Sequence, residues 1–155
     1  MLKKFFIAMG VVCTCLIACC MLFVGLAASE ATKNKAVAQA ITRDMARAWN
    51  ISDLKPHFIA PAVRQVNFAD AQLRFNKLKG LGTLKTIEQA QQTEFRLGQD
   101  WGGALSKSAT IVLVAEFENG RATVTMRLAS EGTEMKLWHV NVAPIGELRA
   151  KAEQA

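Results

Sequence analysis

Beyond residue 20 the sequence contains no cysteine, and in its whole length it has only two histidines and three prolines. The first absence removes disulfides and thiol chemistry from everything downstream, so a fold of ordinary size must hold by packing alone. Two isolated histidines, His57 and His139, with no Cys or Asp at ligand spacing, argue against a zinc site. No glycine-rich phosphate loop follows a strand pattern, and no Ser/His/acid arrangement emerges from spacing. The basic residues are scattered, with no run of five or six like charges and no basic stripe interleaved with aromatics. Nucleic acid is therefore not an expected partner, and no cofactor or metal is expected. Internal repeats and low-complexity linkers are also missing.

What is present begins with an uncharged run. From Phe5 to Ala28 there are 24 residues without a charge, preceded by Lys3 and Lys4. As a helix they would reach about 36 Å, enough for a hydrocarbon core of ~30 Å with some tilt. A signal-peptide core is shorter, ~7–15 residues. The two lysines predict a cytoplasmic N-terminus by the positive-inside bias, which leaves the following domain outside. Small residues at Gly25, Ala27, Ala28 and Ser29 keep a cleaved signal open as an alternative. A third alternative comes from Leu16–Cys19, "LIAC", which resembles the lipobox of bacterial lipoproteins and would make Cys19 the lipidated residue. The chain stays apolar after it, where lipoproteins normally turn polar, so the length of the run favours an anchor. All three readings export the domain. The expected location is a single pass through the inner (cytoplasmic) membrane, with the domain on the periplasmic side in a Gram-negative cell.

All four cysteines, Cys13, Cys15, Cys19 and Cys20, lie in this run. At ~100° per residue, Cys15 and Cys19 share a helix face while Cys13 and Cys20 fall roughly opposite. One straight helix cannot gather them into a four-thiolate site, so they read first as polarisable apolar residues in lipid.

Organisation follows from these patterns. Residues 1–29 form the membrane or signal segment, 30–145 an α+β extracytoplasmic domain, and 146–155 a polar tail. After residue 29 there are 17 basic and 13 acidic residues, a mild excess that suits an anionic surface without requiring one. Val37, Ile41, Met45 and Trp49 recur every four residues and predict one helical stripe. The stretch from Ser52 to Val63 opens on a Ser/Asp cap signal and is interrupted by Pro56 and Pro61, which predicts a short helix and a turn. Phe68, Leu73, Phe75 and Leu78 predict a helix ending at Gly80 and Gly82. Thr83–Gly98 reads as a long twisted strand. Asn119-Gly120, between β-rich runs, signals a hairpin. After it Ala122, Val124, Met126 and Leu128 alternate with Thr123, Thr125 and Arg127, giving one dry and one wet face. A second turn is expected at Gly132, and a last strand from Met135 stops at Pro144. Helices first and a meander afterwards predict helices covering one face of a sheet.

The stretch "FENGRATVTMRLASEGTEMKLWHVNV" resembles the end of small bacterial envelope domains of the nuclear-transport-factor-two-like (cystatin-like) superfamily. Many of these carry a Trp-Lys-Ile/Val triplet where this chain has Met135-Lys136-Leu137, with Trp138 just after it. "LKGLGTLKTIE" resembles their passage from helix to first strand. The resemblance covers residues 31–145. It implies a curved, roughly four-stranded antiparallel sheet wrapped around helices as a cone. Members range from isomerases and dehydratases to ligand binders and secretion scaffolds, so the fold leaves function open.

Candidate residues for chemistry are few. His139, on the last strand, has alternation placing it with Leu137 and Asn141, and Trp138 with Val140 and Val142. His139 and Glu116 are the candidate base and acid of a pocket enzyme. Asp70, Glu94 and Asp100 are the other acids near strands or their entry, and surface charge is the plainer reading of each. His57 reads as a surface or capping residue. Trp101, between glycines in "GQDWGG", is a candidate partner contact. The leading functional expectation is a non-catalytic, membrane-tethered binding or scaffold module with a protein partner in the envelope. The alternatives are a pocket protein for a small apolar ligand, or a relative of the isomerases and dehydratases.

Overall fold

The computed structural model describes residues 28–99 and 105–146. The chain divides into two units, Met1–Lys33 and Asn34–Ala155. Among the described residues no helix is long and apolar enough to cross a membrane. The apolar run, Cys19, Asp100, Trp101 and the polar tail lie outside the described residues.

Within the first unit, Thr32 donates its hydroxyl hydrogen to the Ala28 carbonyl at 2.9 Å, and Lys33 lies 3.9 Å from Glu30. The second unit is α+β. Helix α1 (28–48) brings its stretch from residue 34 onward into this unit. It is followed by a 3-10 helix, Ile51–His57, then α2 (Ala60–Gln65), α3 (Phe68–Leu78) and a 3-10 turn, Lys79–Leu81. Strands β1 (Leu84–Gln99), β2 (Leu105–Phe117), β3 (Gly120–Glu131) and β4 (Glu134–Ile145) complete it. They form one antiparallel meander in the order β1-β2-β3-β4.

The stripe on α1 is the helical side of the core. Ala38, Ile41, Met45, Ala46 and Trp49 are buried, and Val37 packs against them. The facing sheet contributes Ile111, Leu113, Phe117, Val124, Met126 and Leu128. Each such side chain contributes about 1.5–3 kcal/mol relative to exposure. The alternation read along β3 is the alternation found: Ala122, Val124, Met126 and Leu128 are sealed, while Thr123, Thr125 and Arg127 face the other way. That second face is polar. Arg96 and Glu94 pair there at 2.5 Å, and Arg121 pairs with Glu88.

Two contacts pin α1 to the sheet. Near one end, Asn34 is buried and donates from Nδ2 to Gln92 Oε1 at 2.9 Å. At the other, Trp49 takes a positive φ of 49°, a costly setting for a bulky residue. The turn out of the helix drives the indole into the core, where it meets Phe75 and Phe117. Its Nε1–H donates to the Gly82 carbonyl at 3.0 Å, so the polar end of the ring is satisfied.

The prolines behave differently from the expectation. Pro61 does not break a helix but sits at the start of α2, where its missing N–H has no partner to lose. Pro56 lies inside the 3-10 helix, whose cap is the Asn50 side chain accepting from Ser52 N rather than the Ser/Asp pair. Pro144 does not stop β4, which runs on to Ile145. It is tolerated because β4 is an edge strand. Asn67 caps α3, its side chain accepting from the Ala69 and Asp70 amides, and Leu73 on the helix is exposed rather than part of the core.

The β2–β3 hairpin closes one residue earlier than Asn119-Gly120 suggested. Phe117 pairs with Gly120, so the loop is Glu118-Asn119, and neither residue has positive φ. Docking replaces the intrinsic turn preference: Asn119 N donates to the Leu81 carbonyl and Asn119 Nδ2 to the Gly80 carbonyl. The Gly132 turn is where it was expected, with φ 64°.

Candidate functional site

A cleft of about 840 Å³ opens between α3 and β4. Phe75, Leu78 and Leu81 come from the helical wall, Val140, Val142 and Pro144 from the strand, and Ile51, Phe58 and Val66 close the ends. Asn67, Asp70, Arg74 and Lys77 lie along α3 at one side, and Trp138, His139 and Asn141 on β4 at the other. A wide apolar floor with a few polar groups at its margin is the usual make-up of a binding site.

The amphipathic spacing of α3 builds the first wall. Phe75 turns into the core, while Asp70, Arg74 and Lys77 follow at helical intervals on an exposed stripe. Asp70 accepts a 2.7 Å hydrogen bond from Asn67 Nδ2, which holds it close to the helix start. Arg74 and Lys77 leave the α3 side with a positive balance. Gln72 fixes the base of the same helix, accepting from Ile51 N at 2.9 Å and donating to the Trp49 carbonyl at 3.2 Å.

The second wall depends on a bulge. Leu128 pairs with Leu137, yet Arg127 pairs with His139, so Trp138 is an extra residue. The insertion reverses the alternation expected from the sequence. Leu137, Val140 and Val142 now share the core face, and His139 and Asn141 share the opposite one with Arg127 and Thr125. The inserted Trp138 is left 37% exposed beside the cleft.

His139 and Glu116 are not brought together. His139 lines the cleft, whereas Glu116 is on β2, opposite Thr86 and Arg121. His139 lies opposite Arg127, six residues further along β3, which is about 20 Å. Asp70 is the acid that reaches the cleft. Glu94 is on the polar face of the sheet, where the Arg96 hydrogen bond chiefly holds its carboxyl below the usual range. His57 bridges elements instead: its Nε2 lies 3.1 Å from Asp44 Oδ2 on α1. Among the described residues no group of three or more His, Cys, Asp or Glu is placed to hold a metal ion.

A second polar junction steadies the far end of β4. Glu131 accepts from Lys136 Nζ at 2.5 Å and from Ala60 N at 2.9 Å, tying the start of α2 to the β3–β4 hairpin. The Lys136 ammonium first, and then the Ala60 amide, pull the Glu131 carboxyl below its ordinary pKa, and Glu131 raises that of Lys136.

Sequence reading missed Arg74, Lys77, Phe75 and Val140 as neighbours. Only Pro144 within a strand-like run offered a signal, since it marks an edge. Comparison with known proteins gives no match to any family model, curated protein or solved structure.

Proposed function

We propose that this chain is a membrane-tethered, extracytoplasmic binding module whose working surface is the cleft between α3 and β4. The observation that carries the reading is the cleft itself: about 840 Å³, apolar within, with Arg74 and Lys77 at its margin. The uncharged run behind Lys3 and Lys4 supports the tether, and the α+β order supports the cystatin-like resemblance. His139 and Asp70 line the cleft but Glu116 does not, so the acid–base pair expected from the sequence is not assembled there. The volume also favours a second reading, a pocket for a small apolar ligand.

Photo-crosslinking in intact cells separates these. A benzophenone amino acid replaces Lys77 at the cleft or Thr123 on the opposite sheet face. The module reading expects a discrete protein adduct from position 77 in the membrane fraction and none from 123. Equal adducts from both positions, or none from 77, would contradict it. An adduct from 77 that partitions with lipid would favour the small-ligand reading.

A further inference from the structure

The open edge of β4 has a definite backbone polarity, and it follows from three features. Ile59 N donates to the Leu137 carbonyl at 3.0 Å, and Phe58 forms a parallel bridge with Leu137. The backbone groups of Leu137 therefore face away from β3. Along a strand this direction alternates, so a regular β4 would next expose residues 139, 141 and 143. The extra residue Trp138 resets the count, because Leu128 pairs with Leu137 and Arg127 with His139. The residues whose N–H and C=O face outward are then Val140, Val142 and Pro144. Proline at 144 agrees, since in a sheet its missing donor belongs on the open side. The outward backbone and the core-facing side chains thus fall on the same residues, Val140 and Val142, and both line the cleft.

The chain itself starts to cover this edge and then leaves it. Phe58 and Ile59 lie against Leu137 before the backbone turns into α2 at Ala60. Beyond them, the bulge and Pro144 bracket a short open window. Both devices blunt an edge against indiscriminate pairing. Protection alone does not require the roomy apolar cleft beside that window.

We propose that the cleft takes an extended polypeptide segment of a partner, adding a fifth strand along Val140–Val142. Its apolar side chains, at alternate positions, would enter the cleft towards α3, and the intervening polar ones would point to the sheet face that carries His139 and Asn141. Strand addition draws affinity from main-chain hydrogen bonds and selectivity from pockets for alternate side chains. This inference rests on the cleft being the working surface and names what occupies it.

The test uses the full chain in nanodiscs and a fluorescein-labelled heptapeptide of alternating valine and glutamate. Saturable binding is expected, with hydrogen exchange slowed at the Val140 and Val142 amides. Val142→Pro removes one outward donor and no donor to β3, and should weaken binding about tenfold or more. Should Val142→Pro not fold, the amide exchange of the unsubstituted chain decides alone. No saturable binding, or binding that leaves both amides unchanged, overturns the proposal. Amides already slow without probe in a dimeric chain would assign the edge to a second copy and also overturn it. If Lys77 still yields its cellular adduct while the probe fails, strand addition falls and the cleft reading stands. If both fail, the cleft reading falls as well.

Discussion

Replacing Gly82 by alanine tests how the core is closed around Trp49. Gly82 has φ 78° and ψ −155°, a region essentially reserved for glycine. Forcing a side chain into it costs about 1–3 kcal/mol. The added Cβ would also stand 2.8 Å from Glu118 Cβ, 2.9 Å from Glu118 Oε2 and 3.2 Å from Asn119 Nδ2. Glu118 Cβ is bound to the backbone of the β2–β3 turn, so relief requires moving that turn. Such overpacking costs a further ~1–3 kcal/mol. The Gly82 carbonyl accepts the Trp49 indole hydrogen bond, so the shift would reach the core. The expected total is about 2–6 kcal/mol, a large part of a typical stability of about 5–15 kcal/mol. Gly80, two residues earlier, is the internal control. Nothing lies within 4 Å of a Cβ built there, and its φ is not positive. Gly80→Ala should be neutral or stabilising by up to ~1 kcal/mol. Urea unfolding of the full chain in detergent, followed by tryptophan fluorescence, measures both. If Gly82→Ala fell within about 0.5 kcal/mol of the parent, or the two variants behaved alike, the closure described here would be wrong.

Three further outcomes are expected. Trp49→Phe keeps ring packing but leaves the Gly82 carbonyl without its 3.0 Å donor, and should lower stability by about 1–2 kcal/mol in urea unfolding followed by circular dichroism. The depressed Glu131 pKa makes its stabilising contribution complete above the ordinary value of 4.5, with loss as pH falls through the lower folded value. Amide exchange at Ala60 should therefore accelerate below pH 4.5 after correction for intrinsic rates, and Glu131→Gln should flatten that dependence. Pro144→Ala restores an N–H on the open edge, and should raise affinity for the valine–glutamate probe while leaving the unfolding midpoint nearly unchanged.

How much of this was legible in the sequence depends on the range of the interactions. β3 was plain because the extra residue of the β3–β4 pairing lies on β4, so the local alternation of β3 and its burial agree. α1 was plain because its four-residue spacing is its buried stripe. β4 was misread by one residue, since the Trp138 bulge is fixed by pairing with β3 and leaves no mark in the local pattern. Pro56, Pro61 and Pro144 were read as breaks because proline propensity ignores position; a 3-10 helix, a helix start and an open edge each accept it. The cleft was not readable at all. Its walls come from residues 51–81 and 138–144, which only the folded topology brings together, and Arg74 and Lys77 look like any solvated helix face beforehand.

On the proposed reading the cleft works on the extracytoplasmic side of a membrane to which the chain stays attached. Lys77→Cys places one thiol at the cleft, and a membrane-impermeant maleimide applied to intact cells with a permeable outer layer reads its side, with the unsubstituted chain as control for the native cysteines. The prediction is rapid labelling before lysis, on a chain that fractionates with membranes. Labelling only after the inner membrane is broken, or a labelled chain released into the soluble fraction, would contradict it.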